Sequence, residues 1–127
     1  MRIQISFLAL LLATGAVASP AVPTYSEARA SWEKGKDSKE YQTYAEEFIQ
    51  FNNYYHLDEK DGCYALPGGP VQLMLVITHR DKGSYALVEQ ALTDTDSPKA
   101  QCFQKTYRGI STKVPPFVPF ILQMGMG

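Results

Sequence analysis

The chain is poor in the residue types from which many active sites are built. Its 127 residues include only two cysteines and two histidines, and the histidines, His56 and His79, lie in different segments. Two thiols cannot complete a four-thiolate zinc site, and they exclude a dense disulfide scaffold. There is no Cys-x-x-Cys, no Gly-x-Ser-x-Gly, no His-Glu-x-x-His and no glycine loop that would cradle a phosphate. Charge of one sign is also lacking: 12 Lys+Arg stand against 13 Asp+Glu, a net −1. Nothing therefore draws the chain toward nucleic acid, and no nucleic-acid partner is expected. Long hydrophobic runs are missing as well. A bilayer span takes about 20 apolar residues. The longest candidate here, Ile3 to Ala18, has 16 residues and is broken by Gln4 and Ser6.

That short run has another use. Arg2 supplies a positive start, Phe7 to Ala18 an uncharged apolar stretch, and Ala16 and Ala18 the small residues before a cleavage point. This is the order of a secretory signal, so residues 1–18 are expected to be removed after Ala18, with no membrane span retained. Export decides how Cys63 and Cys102 read. The two sulfurs enter an oxidising space together, and one disulfide between them is the default.

Residues 19–37 are rich in Ser, Ala, Pro, Lys and Glu and read as a linker or frayed lead-in, with a short helical stretch around Ser26 to Lys34. Trp32, the only large apolar residue there, either tucks onto the domain or is a free contact point. A single domain is expected over 38–127. Tyr41, Tyr44, Ala45, Phe48, Ile49 and Asn52 fall at helical spacing from a cap at Asp37 or Ser38, and Asn52-Asn53 reads as the stop. Pro67-Gly68-Gly69 forces a turn. Val71 to His79 is a strand apolar enough to be covered on both faces, Arg80 to Gly83 a turn, and Ser84 to Thr93 the returning strand. Asp96 or Ser97, Pro98 and Gly109 bound a second helix. Phe117 to Met124 is the last strand, and Pro119 places it at an edge or a bulge. The order helix, hairpin, helix, strand predicts an α+β fold: a small antiparallel three-stranded sheet, two helices packed on it and one disulfide.

The stations PGGPVQLMLVI, DKGSYALVEQ, TDTDSP, KAQCFQKTYRG, TKVPP and FVPFILQM, with Cys63-Tyr64 and a cysteine in the helix, resemble the TonB C-terminal-domain-like family over roughly residues 63–124. The resemblance implies a periplasmic contact domain that offers a sheet edge to a partner segment. Energy transduction is not implied: a lead-in of some 20 residues reaches about 60 Å at full extension. The aromatic-Phe-Pro ending usual after the helix is also absent, and Ile110 to Pro116 stands there.

The remaining candidates carry little chemistry. His56, Asp58, Glu59 and Asp61 cluster without an EF-hand pattern and read as a solvated connector, so no metal and no cofactor are expected. Asp94 and Asp96 read as helix caps rather than an acid–base pair. The expected function is a non-catalytic protein-binding module, periplasmic or secreted. Its partner is a protein in the cell envelope or outside the cell. Phe51, Tyr54, Val118, Phe120, Leu122 and Met124 are the expected contact residues. The alternative is a small secreted inhibitor or effector that blocks a hydrolase with the Arg80 to Gly83 loop.

Overall fold

A computed structural model describes residues 23–79 and 84–127. The expected signal segment and the Arg80 to Gly83 turn lie outside the described residues.

Thr24 and Glu27 begin the first helix by capping each other. The Thr24 hydroxyl accepts the Glu27 N–H at 3.2 Å, and the Glu27 carboxylate accepts the Thr24 N–H at 2.8 Å. The helix, α1, runs Tyr25–Gly35 and buries Ala28. The helical stretch expected around Ser26 to Lys34 is thus present, and it packs on the sheet. Trp32 is half-buried against the sheet, and its indole N–H donates to the Tyr41 hydroxyl at 2.8 Å.

Ser38 caps α2, Lys39–Tyr55, by accepting the Tyr41 N–H. The buried stripe is Tyr41, Tyr44, Phe48 and Asn52. The helix does not stop at Asn52-Asn53. The Asn52 amide is occupied inward, where its Oδ1 accepts the Tyr107 hydroxyl at 2.5 Å, and the helix ends at His56 in the left-handed conformation, φ 52°. A short 3-10 segment, Leu57–Ala65, follows and buries Leu57 and Cys63.

The sheet has four antiparallel strands, not three: β1 Val71–His79, β2 Ala86–Thr93, β3 Ser111–Thr112 and β4 Phe120–Met126, in the order β3-β2-β1-β4. The third helix, α3, is Pro98–Tyr107, so the described residues hold three α-helices rather than two. Ser97 caps α3, Pro98 opens it and Gly109, at φ 91°, turns the chain away, as the pattern predicted. The extra strand is only two residues long, too short to leave a periodicity. Pro119 precedes β4 rather than interrupting it.

β1 is central and covered on both faces, which explains its nearly continuous apolar run. Leu73, Leu75 and Ile77 face the main core with Tyr44, Phe48, Phe103, Tyr107, Phe120 and Leu122. Met74 and Val76 face α1, together with Ala28 and Ile121. The disulfide Cys63–Cys102 ties the 3-10 segment to α3. Among the described residues no helix is long and apolar enough to cross a membrane.

Three polar side chains of the main core, Tyr41, Tyr44 and Tyr107, are hydrogen-bonded. Tyr44 donates to the Lys113 carbonyl at 2.6 Å, and Tyr41 accepts from Trp32. Burial pushes the phenols of Tyr41, Tyr44 and Tyr107 above their ordinary value. An unfolded tyrosine loses its proton near pH ~10, while these three hold theirs when folded. The stability they confer is therefore complete below that pH and is lost as pH rises through the folded values. Urea titrations across the alkaline range will show an unfolding free energy flat to about pH 9 and falling beyond about pH 10. Tyrosinate absorbance from Tyr41, Tyr44 and Tyr107 will appear only together with loss of the fold. Tyrosinate from all the tyrosines at pH ~10 with the fold intact would contradict the buried assignment.

Candidate functional site

A sheet that ends in open edges offers partners its unpaired backbone, and charge or bulk usually guards such edges. β4 is one edge, as expected. The odd-numbered residues of β1 bond toward β4 and the even-numbered ones toward β2, so Ile121, Gln123 and Gly125 direct their backbone groups outward. The middle of that row is taken. The Gln123 N–H donates to the Tyr41 hydroxyl at 3.3 Å, and Ile121 is buried against α1. Tyr41 of α2 thus takes one donor of the edge that the sequence singled out, while Ile121 and Gly125 have no backbone partner on that side among the described residues.

The residues expected to make contact divide accordingly. Phe120 and Leu122 are fully buried, and Met124 is 8% exposed, so their side chains belong to the main core. They face inward because the strand alternates and its even positions point at the helices. Val118 lies exposed in the approach to β4. Phe51 is half-buried against the core. Its ring packs 4.9 Å from that of Tyr55, which in turn stands 4.9 Å from Tyr54, a residue 77% exposed.

The opposite edge is only half closed. β3 pairs with Ala86 and Leu87, and Val88 exchanges bonds with Gly109 N–H at 2.8 Å and Ile110 C=O at 2.9 Å. A bulge follows, at which Val76 and Ile77 of β1 face Gln90 and Val88, leaving Glu89 unpaired. Beyond it Gln90 and Leu92 bond toward β1, so Ala91 and Thr93 turn their backbone groups outward. Neither has a backbone partner on that side among the described residues, although Ala91 is 7% exposed and its side chain belongs to the main core. Gly109 causes the opening: its positive φ carries the chain off the end of α3 and onto β2 only at Val88.

A groove of about 620 Å³ lies between this open stretch and α3. Gln90, Ala91 and Leu92 form one wall, and Gln101, Gln104, Lys105 and Arg108 the other. Those four are at i, i+3, i+4 and i+7, one stripe of the helix. Gln104 holds the end of the groove in place by donating to the Thr93 hydroxyl at 2.6 Å. A second depression is lined by Lys39, Glu40, Glu47, Lys113 and neighbours, and there Lys113 meets Glu47 at 2.6 Å.

The acidic candidates serve the fold. Asp94 accepts the Gln72 N–H at 2.9 Å and fastens the start of β1, Asp96 accepts from Gln101, and the cap is Ser97. His56 pairs with Glu59 at 2.9 Å, and Asp58 accepts from Tyr64. Among the described residues no three of His, Cys, Asp and Glu converge as metal ligands would. The polar stripe on α3 was readable in the sequence, but the open edge beside it was not, since it depends on where β3 stops. The chain matches no family model, no curated protein and no solved structure.

Proposed function

We propose that this is an exported protein-binding module, acting in the periplasm or outside the cell after removal of its leader. It takes a segment of a partner protein as an added strand. The observation that carries this reading is the half-open edge of β2, with Ala91 and Thr93 turned outward beside α3. Added strands bind by main-chain hydrogen bonds and are selected by side-chain pockets, and an edge bordered by a helix supplies both. The disulfide fits an oxidising compartment. The resemblance to the TonB C-terminal-domain-like family agrees in binding mode, with the β2 edge chosen here over that of β4, where Tyr41 takes the Gln123 N–H. The module is not a complete energy transducer.

Ala91→Pro tests the reading. Proline removes the outward N–H and takes no bond from β1, and since Ala91 is a buried position of the main core the melt of the variant is recorded beside its binding. The tagged mature protein will retain an envelope protein from extract. The variant, with melting behaviour close to that of the parent, will not. Equal capture by both proteins would refute binding at this edge. Capture of a soluble hydrolase with loss of its activity would instead support the inhibitor.

A further inference from the structure

The groove beside β2 has a charge as well as a shape, and the charge narrows what fits it. Lys105 and Arg108 are exposed on its helical wall, and neither makes an ion pair among the described residues. No acidic side chain lines the groove. Glu89, next along the strand, is turned to the hydroxyl of Thr78 at 2.6 Å, and Asp96 is engaged by Gln101. A chain of net charge −1 thus presents two unneutralised cations beside its open backbone edge. From this, and resting on the binding mode proposed above, we infer that the occupant is an extended protein segment with acidic side chains at alternate positions.

The geometry favours that spacing. Successive same-side residues of a strand stand about 6.8 Å apart. Lys105 and Arg108, one helical turn apart, are separated by a rise of about 4.5 Å, and their long side chains make up the difference. A strand laid in line with β3 would bond the outward groups of Ala91 and Thr93. It would then turn every second side chain toward α3, where carboxylates meet Lys105 and Arg108 and polar groups meet Gln101. Arg108 adds a planar fork suited to a carboxylate. Two other occupants fit less well. A second copy docked edge to edge would bring the same cations together. Residues 1–22 of the chain itself carry Arg2 and no carboxylate side chain.

The probes are synthetic peptides of about eight residues, with Glu, Gln or Lys at alternate positions and Thr or Val between. Anisotropy of a labelled peptide gives affinity, and amide chemical shifts of the disulfide-intact protein give location. The Glu peptide will bind about tenfold tighter than the Gln peptide, as two exposed ion pairs allow, and this margin will vanish in ~0.5 M salt. It will also vanish in Lys105→Gln/Arg108→Gln, which alters only exposed helix positions and leaves the fold unchanged. The amides of Ala91 and Thr93 will move in each complex. If the Gln or Lys peptide binds as well as the Glu peptide and moves those amides, the acidic preference is overturned and the open edge stands. If no peptide moves them, the edge reading itself falls. If they are protected without peptide and the protein sediments as a dimer, a second copy is the occupant and the inference is overturned.

Discussion

Phe120→Ala lowers the unfolding free energy by about 3–5 kcal/mol, the range for truncating a buried aromatic ring. The size follows from what the ring touches. It lies fully buried, stacked on Tyr41 at 5.0 Å, edge-on to Tyr44 at 4.6 Å and 5.1 Å from Phe117. Removing it empties the junction between α2, β4 and the approach to β4. It also frees Tyr41, whose hydroxyl receives the Gln123 N–H of β4 and the Trp32 N–H. A domain of this size holds about 5–15 kcal/mol in total, so the loss is a large share of the whole. Tyr54→Ala and Val118→Ala, at exposed positions, should each change stability by no more than about 0.5 kcal/mol. Urea melts of the three variants separate a core position from two surface positions among residues that were all expected to make contact. A Phe120→Ala melt close to that of the parent would remove the ring from the core and return it to the contact surface.

The reason those roles were hard to separate lies in β4 itself. A strand at an edge looks, in sequence, like a strand that offers its edge, and Pro119 reinforced that impression. The Gln123 N–H on the outer side of β4 is taken by Tyr41, 82 residues earlier in the chain. Features set by local spacing were readable: the Ser97-Pro98 start of α3, the Tyr41, Tyr44, Phe48 stripe of α2, and the two-faced apolar run of β1. Features set by a distant partner were not. Asn52 was visible as the polar end of an apolar stripe, but the Tyr107 hydroxyl that requires it is 55 residues away. β3 escaped because two residues carry no periodicity. With β3 unseen, the half-open edge of β2 could not be inferred, even though Gln101, Gln104, Lys105 and Arg108 already stood at one-face spacing.

Loss of the disulfide should have an effect as large, and should reach the groove. Cys63 and Cys102 are 39 positions apart, and closing a loop of that length restricts the unfolded chain by about 4 kcal/mol in the chain-entropy account. Cys63→Ala/Cys102→Ala should therefore melt about 15–25 °C below the parent, and the parent in excess reductant should melt close to the variant. A shift under about 5 °C would mean that the unfolded chain is already compact around this loop and that the staple adds little. The staple reinforces a contact of α3 that is also made by the Tyr64 ring, 5.1 Å from that of Phe103. Its cysteine joins α3 to the 3-10 segment, in which Asp61 and Gly62 both have positive φ and no regular hydrogen-bond ladder forms. α3 is also the wall of the groove that carries Lys105 and Arg108. Breaking the bridge at Cys102, midway along α3, widens the range of distances between those cations and β2 before the sheet melts. At a temperature where the bridge-free variant is still folded, its affinity for the Glu peptide will fall while β1 amide protection persists. An unchanged affinity there would show that α3 is held by Phe103 and Tyr107 alone, with the sulfurs acting only on the unfolded state.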